Sequence, residues 1–388
     1  MALLDRLNYK HIQKQLSLSP GIEAFPVRNL VSERFGFIDF VRFVSTIGIV
    51  WAHIQVFPGN ATNYPVVLQN SEYYLGFKQI TKFSVINFYL IAGFLLPTVI
   101  PSDNRFGYLK RRCRKTIKAY IAALSIFIAG IFISEKGFDL SSFNVTWAVK
   151  TVAYLIKYTS FWYLGSYLIC LGILLAFSRW IGSGKFGLGL LAITVIQTFF
   201  TCYTQKFNVD HTLSVFPFIF YLWLGAFIRR MNYHEHFIKI PFRYLGFFIV
   251  VTGILATVES VYLLEHGYRN YFNVLRYSNQ AYSIVFFVAL VKIGTKVRIP
   301  RFLNPRKESF GIYLYHVFII IFLYPHLSKA IEGVTGISLT SVSLLAIIPL
   351  EIFKFVVCYL ISTILVKVLV KFKLLFLDLD NKREALKA

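Results

Sequence analysis

Long apolar runs alternate with short polar segments along most of the chain. The runs approach the length of about 20 residues that an α-helix needs to cross the hydrocarbon core of a bilayer. This pattern predicts an all-α fold, a polytopic membrane protein with about ten transmembrane helices. The predicted spans are residues 37–57, 80–100, 117–134, 160–178, 187–203, 212–229, 242–264, 278–293, 307–327 and 341–366.

The basic residues indicate which connecting segments face the cytoplasm. Most of the 41 Lys and Arg residues fall in alternate connections, beginning with the N-terminal segment. Because cytoplasmic loops are enriched in Lys and Arg, this alternation predicts that both termini are cytoplasmic. The chain then divides into a cytoplasmic N-terminal segment, a ten-helix membrane domain and a short cytoplasmic tail, at residues 1–36, 37–371 and 372–388.

Composition excludes several classes of protein. Of the 388 residues, 56% are hydrophobic and only 15% are charged, which excludes a soluble globular domain. The net charge of +23 does not indicate nucleic-acid binding, because the basic residues lie in short connections between apolar runs. The four cysteines have neither CxxC nor metal-ligand spacing, so we expect neither a disulfide framework nor a metal site.

The first predicted span carries an ionisable stripe. Asp39, Arg42 and His53 fall within roughly 60° of one another around a helix. A charge at the bilayer centre costs on the order of 3 kcal/mol, so this stripe must face protein or a water-filled cavity. Two interpretations are open: an Asp39–Arg42 ion pair that fastens helices together, or a functional site. His53 has no charged partner nearby in the sequence, which favours a functional role for it.

The segment after the second span is the most basic in the chain. Orientation in the membrane and binding of anionic lipids would each explain some of these bases. Seven bases in fourteen positions exceed what orientation requires, and arginine side chains match phosphate oxygens well. The sequence therefore also supports a phosphorylated ligand at this predicted loop, which contains Arg105, Lys110, Arg111, Arg112, Arg114, Lys115 and Lys118.

The ninth predicted span contains a second intramembrane histidine. Asn304 and Pro305 match the residue preferences of a helix N-cap and first helical position. Ser309 and His316 are seven positions apart and share nearly one face, with Tyr313 one position off that stripe. A buried histidine is usually a hydrogen-bonded structural group. Two of them on polar stripes favour acid–base chemistry, because histidine titrates near neutral pH.

Other features of the spans have structural explanations. Glu351 and Lys354 are three positions apart and are expected to neutralise each other. Gly93 permits close approach of a neighbouring helix. Residues 145–158 predict an amphipathic helix on the outer surface, or an extension of the fourth span. The aromatic run at 161–167 is typical of the belt at a membrane interface.

Four motifs together resemble the acyltransferase-3 family of integral membrane acyltransferases, which includes O-antigen and other surface-polysaccharide O-acetyltransferases. Arg42 and His53 are similar to its Arg-x10-His signature, and Asp39 precedes them as the family's acidic residue does. The run NFYLIAGFLLP at 87–97 resembles a Phe-rich element that ends in SGFL, although Ala92 stands where a serine is common. The third motif is an Arg-x-Arg pair, formed here by Arg112 and Arg114. The fourth is a Ser-aromatic-x-x-Tyr-Leu-x-His element, at 309–316.

The resemblance implies an enzyme of the bacterial inner membrane. Its donor would be a cytosolic acyl-CoA, usually acetyl-CoA, and its acceptor a hydroxyl of a surface carbohydrate or of a lipid-linked precursor. His53 would act as general base or relay the acyl group, and Arg42 would polarise the thioester carbonyl or hold the donor. Asp39 would orient Arg42.

The resemblance also assigns the donor-binding residues. Arg112 and Arg114 would hold the phosphates of coenzyme A. His316 would line the same cavity as His53, with Ser309 and Tyr313 as donor contacts, and no metal would take part.

Two other classes of protein stay open from the sequence. A transporter or flippase of a lipid-linked or anionic solute also needs intramembrane charges and basic loops. A structural membrane subunit would use the same charges only for packing. Transfer of labelled acetyl from acetyl-CoA to a glycan distinguishes the enzyme from both.

Overall fold

The computed structural model describes residues 35–54, 71–96, 105–204, 214–300, 302–335 and 344–374. The residues from Gly36 onward belong to one compact unit. The predictions for the N-terminal segment 1–36 and for the tail 372–388 lie outside the described residues, except at their boundaries with the membrane domain.

The described residues form α-helices and no β-strand, which confirms the all-α prediction. Every one of the ten predicted spans contains a helix. In chain order the helices are α1 Gly36–His53, α2 Ser71–Gln79, α3 Ser84–Phe94, α4 Arg105–Lys136, α5 Val145–Tyr158, α6 Trp162–Ala176, α7 Gly184–Cys202, α8 Phe216–Arg230, α9 Tyr233–Lys239, α10 Phe242–Glu265, α11 Tyr277–Gly294, α12 Pro305–Phe322, α13 Tyr324–Thr335 and α14 Leu344–Lys371.

Helix α4 corrects one expectation from the sequence. The most basic segment is not a loop, because α4 begins at Arg105 and includes all seven of its bases. Lys and Arg are good helix formers, so the helix continues past the apolar residues that mark the predicted span at 117–134. The bases therefore have fixed directions around a helix axis.

Within the described ranges, five helices are long and apolar enough to cross a membrane, namely α1, α4, α7, α10 and the part of α14 from Ile348 to Lys371. Helices α5 and α6 meet the same test together as one bent pair. The four remaining predicted spans coincide with α3, α8, α11 and α12, which pack mainly against other helices. Because protein surrounds them, these helices carry polar residues that a lipid-facing helix would exclude. The number of ten crossings and the orientation of the termini stay predictions.

The amphipathic segment 145–158 forms α5, as predicted. Asn144 caps its first turn by accepting a hydrogen bond from the backbone N–H of Thr146 at 2.7 Å. The axis then bends by 72° before α6 begins, so α5 is not a straight extension of the fourth span. Val145 and Val149 are exposed on α5.

Helices α3 and α8 approach each other with backbone contact. A Cβ atom at Gly93 would overlap the carbonyl oxygen of Leu222, and one at Gly225 would overlap that of Leu90. Each glycine therefore accommodates the other helix, as small residues do at close helix crossings in membranes. The sequence prediction for Gly93 is confirmed.

Helix α1 occupies the middle of the bundle. It packs against α3, α11, α12 and α14, and Val41, Val50 and the following Ile54 are fully buried. Helices α7 and α10 lie at the periphery and expose large apolar side chains, including Leu188 and Phe247. This division places the ionisable stripe of α1 among protein neighbours, as its charge requires.

Candidate functional site

Two histidines from distant parts of the chain meet near the end of α1. His53 is the last residue of α1, and His316 lies within α12. Nε2 of His316 is 3.4 Å from Nδ1 of His53, and the ring centroids are 5.0 Å apart. His316 is fully buried, whereas His53 is partly exposed. The structure therefore brings together two predicted site residues and leaves His53 the more accessible of the pair.

The hydrogen bonds of this pair assign its tautomers. Nδ1 of His53 lies 2.7 Å from the carbonyl oxygen of Ile49, and Nδ1 of His316 lies 3.0 Å from that of Ile312. A carbonyl oxygen only accepts, so both Nδ1 atoms carry a proton. Nε2 of His316 then accepts a hydrogen bond from Nδ1–H of His53. This arrangement leaves Nε2 of His53 unprotonated and able to take a proton.

Arg42 lies at the opposite end of α1 from His53. Its Nη1 donates to Oδ1 of Asp39 at 2.9 Å, which confirms the predicted ion pair. Eleven residues separate Arg42 from His53, which corresponds to about 16 Å along a helix. Arg42 is therefore not a direct neighbour of the histidine pair, and α1 carries candidate site residues in both halves. We call them the Arg42 side and the His53 side of the bundle.

Arg112 belongs to the Arg42 side. On α4 it continues the stripe of Ala119, Ala123 and Phe127, which are fully buried against the bundle. Its Nε donates to the hydroxyl of Tyr167 on α6 at 3.4 Å. The positive charge of Arg112 interacts electrostatically with that of Arg42.

Arg114 lies in a different direction. Two positions along a helix correspond to about 200° around its axis, so Arg112 and Arg114 do not share a face of α4. Arg114 is exposed. The structure thus brings Arg112 towards the other predicted site residues and leaves Arg114 apart from them.

Arg306 is a site residue that the sequence did not predict. It follows Pro305 at the beginning of α12, after Asn304, whose side chain accepts from the N–H of Lys307 as predicted. Its charge reaches Arg42 from α12, as that of Arg112 does from α4. The three arginines thus lie on three different helices, and the charges of Arg112 and Arg306 both act on Arg42. Only the folded arrangement reveals this cluster, since no spacing in the sequence connects Arg306 with Arg42.

A row of aromatic rings leads from Arg112 to the histidine pair. The ring centroids of Tyr167 and Tyr163 are 6.3 Å apart, and those of Tyr163 and Tyr313 are 5.4 Å apart. Tyr313 and His316 follow at 6.1 Å. The aromatic run at 161–167 is thus partly directed into the bundle, and its position at a membrane interface stays a prediction.

Tyr313 and Ser309 are both buried on α12. The Tyr313 hydroxyl donates to the backbone carbonyl of Ser160, and the Ser160 hydroxyl donates to the Tyr313 carbonyl at 3.4 Å. These bonds fix Tyr313 against the residues that precede α6. Ser309 is two turns before His316, so it faces the stretch between the arginines and the histidine pair.

The intramembrane acidic residues have partners that local spacing did not predict. Oε1 of Glu351 is 2.7 Å from Nζ of Lys78, and the carboxylate also accepts from Trp51 and Tyr74. The expectation that Lys354 neutralises Glu351 is thus incomplete, because three residues from α1 and α2 bind that carboxylate. Among the described residues, no group of three His, Cys, Asp or Glu side chains could hold a metal ion.

Comparison with known proteins gives one match. A family model described as an acyltransferase domain covers residues 35–370, from the start of α1 to the last turn of α14. Comparison with curated proteins and with solved structures gives no match.

Proposed function

The chain belongs to the acyltransferase-3 family, and on this premise we propose that it is an O-acetyltransferase of the bacterial inner membrane. Its donor is cytosolic acetyl-CoA, and its acceptor is a hydroxyl of a cell-surface carbohydrate or of a lipid-linked precursor. The observation that carries the proposal is the contact between His53 and His316, which leaves Nε2 of His53 free to act as a base.

General base catalysis explains what the histidine pair does. Nε2 of His53 takes the proton of the acceptor hydroxyl, and the resulting oxygen nucleophile attacks the thioester carbonyl. The tetrahedral intermediate collapses with cleavage of the C–S bond, and His53 returns the proton to the departing thiolate. His316 supports this cycle because its Nε2 accepts from Nδ1–H of His53 and stabilises the imidazolium.

The arginine cluster is suited to the phosphates of the donor. Arg42, Arg112 and Arg306 lie on three helices, the charges of the last two act on Arg42, and Asp39 binds Arg42. Guanidinium groups bind phosphate oxygens in bidentate geometry, so three of them suit a polyanionic nucleotide. Because Arg42 lies three turns from His53, we assign it to donor binding rather than to the thioester carbonyl.

The aromatic row supplies a route between the two ends. Rings of Tyr167, Tyr163 and Tyr313 lead from Arg112 to His316. The pantetheine arm of coenzyme A is an extended chain that places its thioester far from its phosphates. We propose that the arm follows this row, so that the acetyl group reaches His53 while the nucleotide stays at the arginines.

The test uses protein purified into lipid nanodiscs, labelled acetyl-CoA, and surface polysaccharide from cells that lack the protein. We expect label on the polysaccharide and a mass increase of one acetyl group per modified residue. The matched control is the His53→Ala variant at equal abundance. Acetyl-CoA binding without transfer to any glycan fraction would overturn the proposal, and absence of acetyl-CoA binding would favour a carrier of a lipid-linked or anionic solute.

A further inference from the structure

We propose that Lys78 and Glu351 form a positioning pair that holds the His53 end of α1 in its catalytic geometry. This inference rests on the proposed function, because it assigns a role in the same reaction. Neither residue touches the reacting atoms in this assignment. Lys78 lies on α2 and Glu351 on α14, so the pair connects three helices at the His53 side of the bundle.

Lys78 caps the C-terminus of α1. Its Nζ donates to the carbonyl oxygens of Trp51 at 2.8 Å and of Ile54 at 2.6 Å. The last carbonyls of a helix have no partner within the helix, and a cation at that end also interacts favourably with the helix dipole. His53 lies between the two capped residues, so the cap fixes the backbone on both sides of it.

Glu351 fixes the ammonium group and the indole beside it. Its Oε1 accepts from Nζ of Lys78 at 2.7 Å and from Nε1 of Trp51 at 3.1 Å. Its Oε2 accepts from the hydroxyl of Tyr74 at 3.2 Å. The Trp51 ring is also stacked on Phe355 of α14, with centroids 5.2 Å apart. Trp51, two residues before His53, is thus fastened through both its backbone and its side chain.

Burial of the pair argues that it has a use beyond stability. The side chain of Glu351 is fully buried and that of Lys78 is 4% exposed. Desolvation of two charges largely cancels their attraction, so a buried ion pair usually adds little to the free energy of folding compared with apolar residues. Such a pair does define one arrangement of the groups around it, and here those groups are the residues on either side of His53.

The pair also sets the charge that His53 experiences. The positive charges of Lys78 and Lys82 both reach His53. Glu351 compensates that of Lys78, which otherwise would oppose the imidazolium that forms when His53 takes a proton. Removing Glu351 therefore disturbs both the position of His53 and the charge beside it.

The experiment compares Lys78→Met, Glu351→Gln and the double variant Lys78→Met/Glu351→Met in nanodiscs. Acetyl transfer from labelled acetyl-CoA to polysaccharide from cells that lack the protein gives kcat and the KM for acetyl-CoA, and thermal unfolding gives the stability. We expect each single variant to lose stability and to lower kcat about 100-fold, since displacement of a catalytic group by about 1 Å has such effects. The KM for acetyl-CoA is expected to stay within about twofold, because the arginine cluster is three turns away.

The double variant separates positioning from folding. Replacement of both charges leaves no unpaired buried charge, so its unfolding temperature should exceed that of either single variant while kcat stays low. A double variant that is as active as the wild type would overturn the proposal, and so would a fall in kcat that only mirrors the amount of folded protein.

A second ion pair provides the control. Arg276, which is buried, lies 3.5 Å from the partly exposed Glu259, between α10 and the start of α11, and the carbonyl groups to which it donates, those of Asn273 and Ala256, lie outside α1. We expect Glu259→Gln to lower the unfolding temperature without a selective loss of kcat. Wild-type protein that transfers no acetyl group would contradict the proposed function itself, whereas active wild type with unaffected pair variants would contradict only the positioning role.

Discussion

Nδ1 of His53 lies 3.4 Å from Nε2 of His316, although 263 positions separate the two residues in the chain. Each histidine also binds a carbonyl oxygen one turn earlier in its own helix. The pair is therefore fixed by two helices at once, and the proton on Nδ1 of His53 has two acceptors. The two rings therefore have unequal roles: His53 takes the proton in the proposed reaction, and His316 supports it.

Replacing His53 should remove the base. We expect His53→Gln to lower kcat by about 10²–10⁴-fold, the usual contribution of a positioned general base. The KM for acetyl-CoA should stay near that of the wild type, because Arg42 of the proposed donor site lies three turns away from His53. Steady-state kinetics in nanodiscs measure both constants. A variant with normal kcat would show that another group takes the proton.

Replacing His316 should have a smaller effect. His316→Ala removes one acceptor of Nδ1–H of His53 but leaves the carbonyl of Ile49 at 2.7 Å, so the tautomer of His53 is retained. We expect a loss of kcat that is clearly smaller than that of His53→Gln. Equal losses in the two single variants, and no further loss in the double variant, would instead indicate that the rings act as one inseparable unit.

The arginines at the Arg42 side should act on donor binding. Arg112→Ala and Arg306→Ala are each expected to raise the KM for acetyl-CoA about tenfold, the effect of losing a charge-assisted hydrogen bond to phosphate. Arg114→Ala is the matched control on the same helix, and its KM should change less because it faces another direction. Initial rates over a range of donor concentrations decide between these outcomes.

A truncated donor makes the arginine prediction more specific. Acetyl-pantetheine has the thioester arm without the nucleotide phosphates. Wild type and Arg112→Ala should therefore use it equally well, if slowly. A defect of Arg112→Ala that is as large with acetyl-pantetheine as with acetyl-CoA would mean that Arg112 supports the fold or the aromatic row instead of the phosphates.

The contact between α3 and α8 at Gly93 and Gly225 should tolerate no larger side chain. Gly93→Leu places new atoms against the backbone of Leu222, which cannot move aside as a flexible side chain can. We expect a loss of stability at or above the upper end of the about 1–3 kcal/mol that overpacking usually costs. The unfolding temperature of the purified protein measures it. Gly165→Ala is the control, since a Cβ there meets no atom within 4 Å.

Much of the architecture could be predicted from the sequence because apolar runs report directly on burial in lipid or protein. They located a helix in every predicted span and placed Asp39, Arg42 and His53 on one stripe. The beginning of α4 could not be found in this way, since Arg105 to Arg114 are helical but polar. Hydropathy identifies only the apolar part of a helix, whereas the helix itself can extend into polar sequence beyond that part.

The contacts of the site depended on packing between distant helices. Local spacing correctly predicted the pair of Arg42 with Asp39, because three positions bring side chains together on any helix. The same rule suggested Lys354 for Glu351, but it could not predict that Lys78 from another helix also binds that carboxylate. Arg306 joined the arginine cluster for a similar reason, since its distance from Arg42 is set by how α12 packs against α1.

The cap on α1 has a consequence for the biosynthesis of the protein. Helix α1 precedes α14 in the chain, so Glu351, which completes its cap, is synthesised after the residues that it fixes. A nascent chain therefore holds its arginines and His53 long before the geometry around that histidine is complete. The cap therefore forms only when α14, the last described helix, docks against α1 and α2.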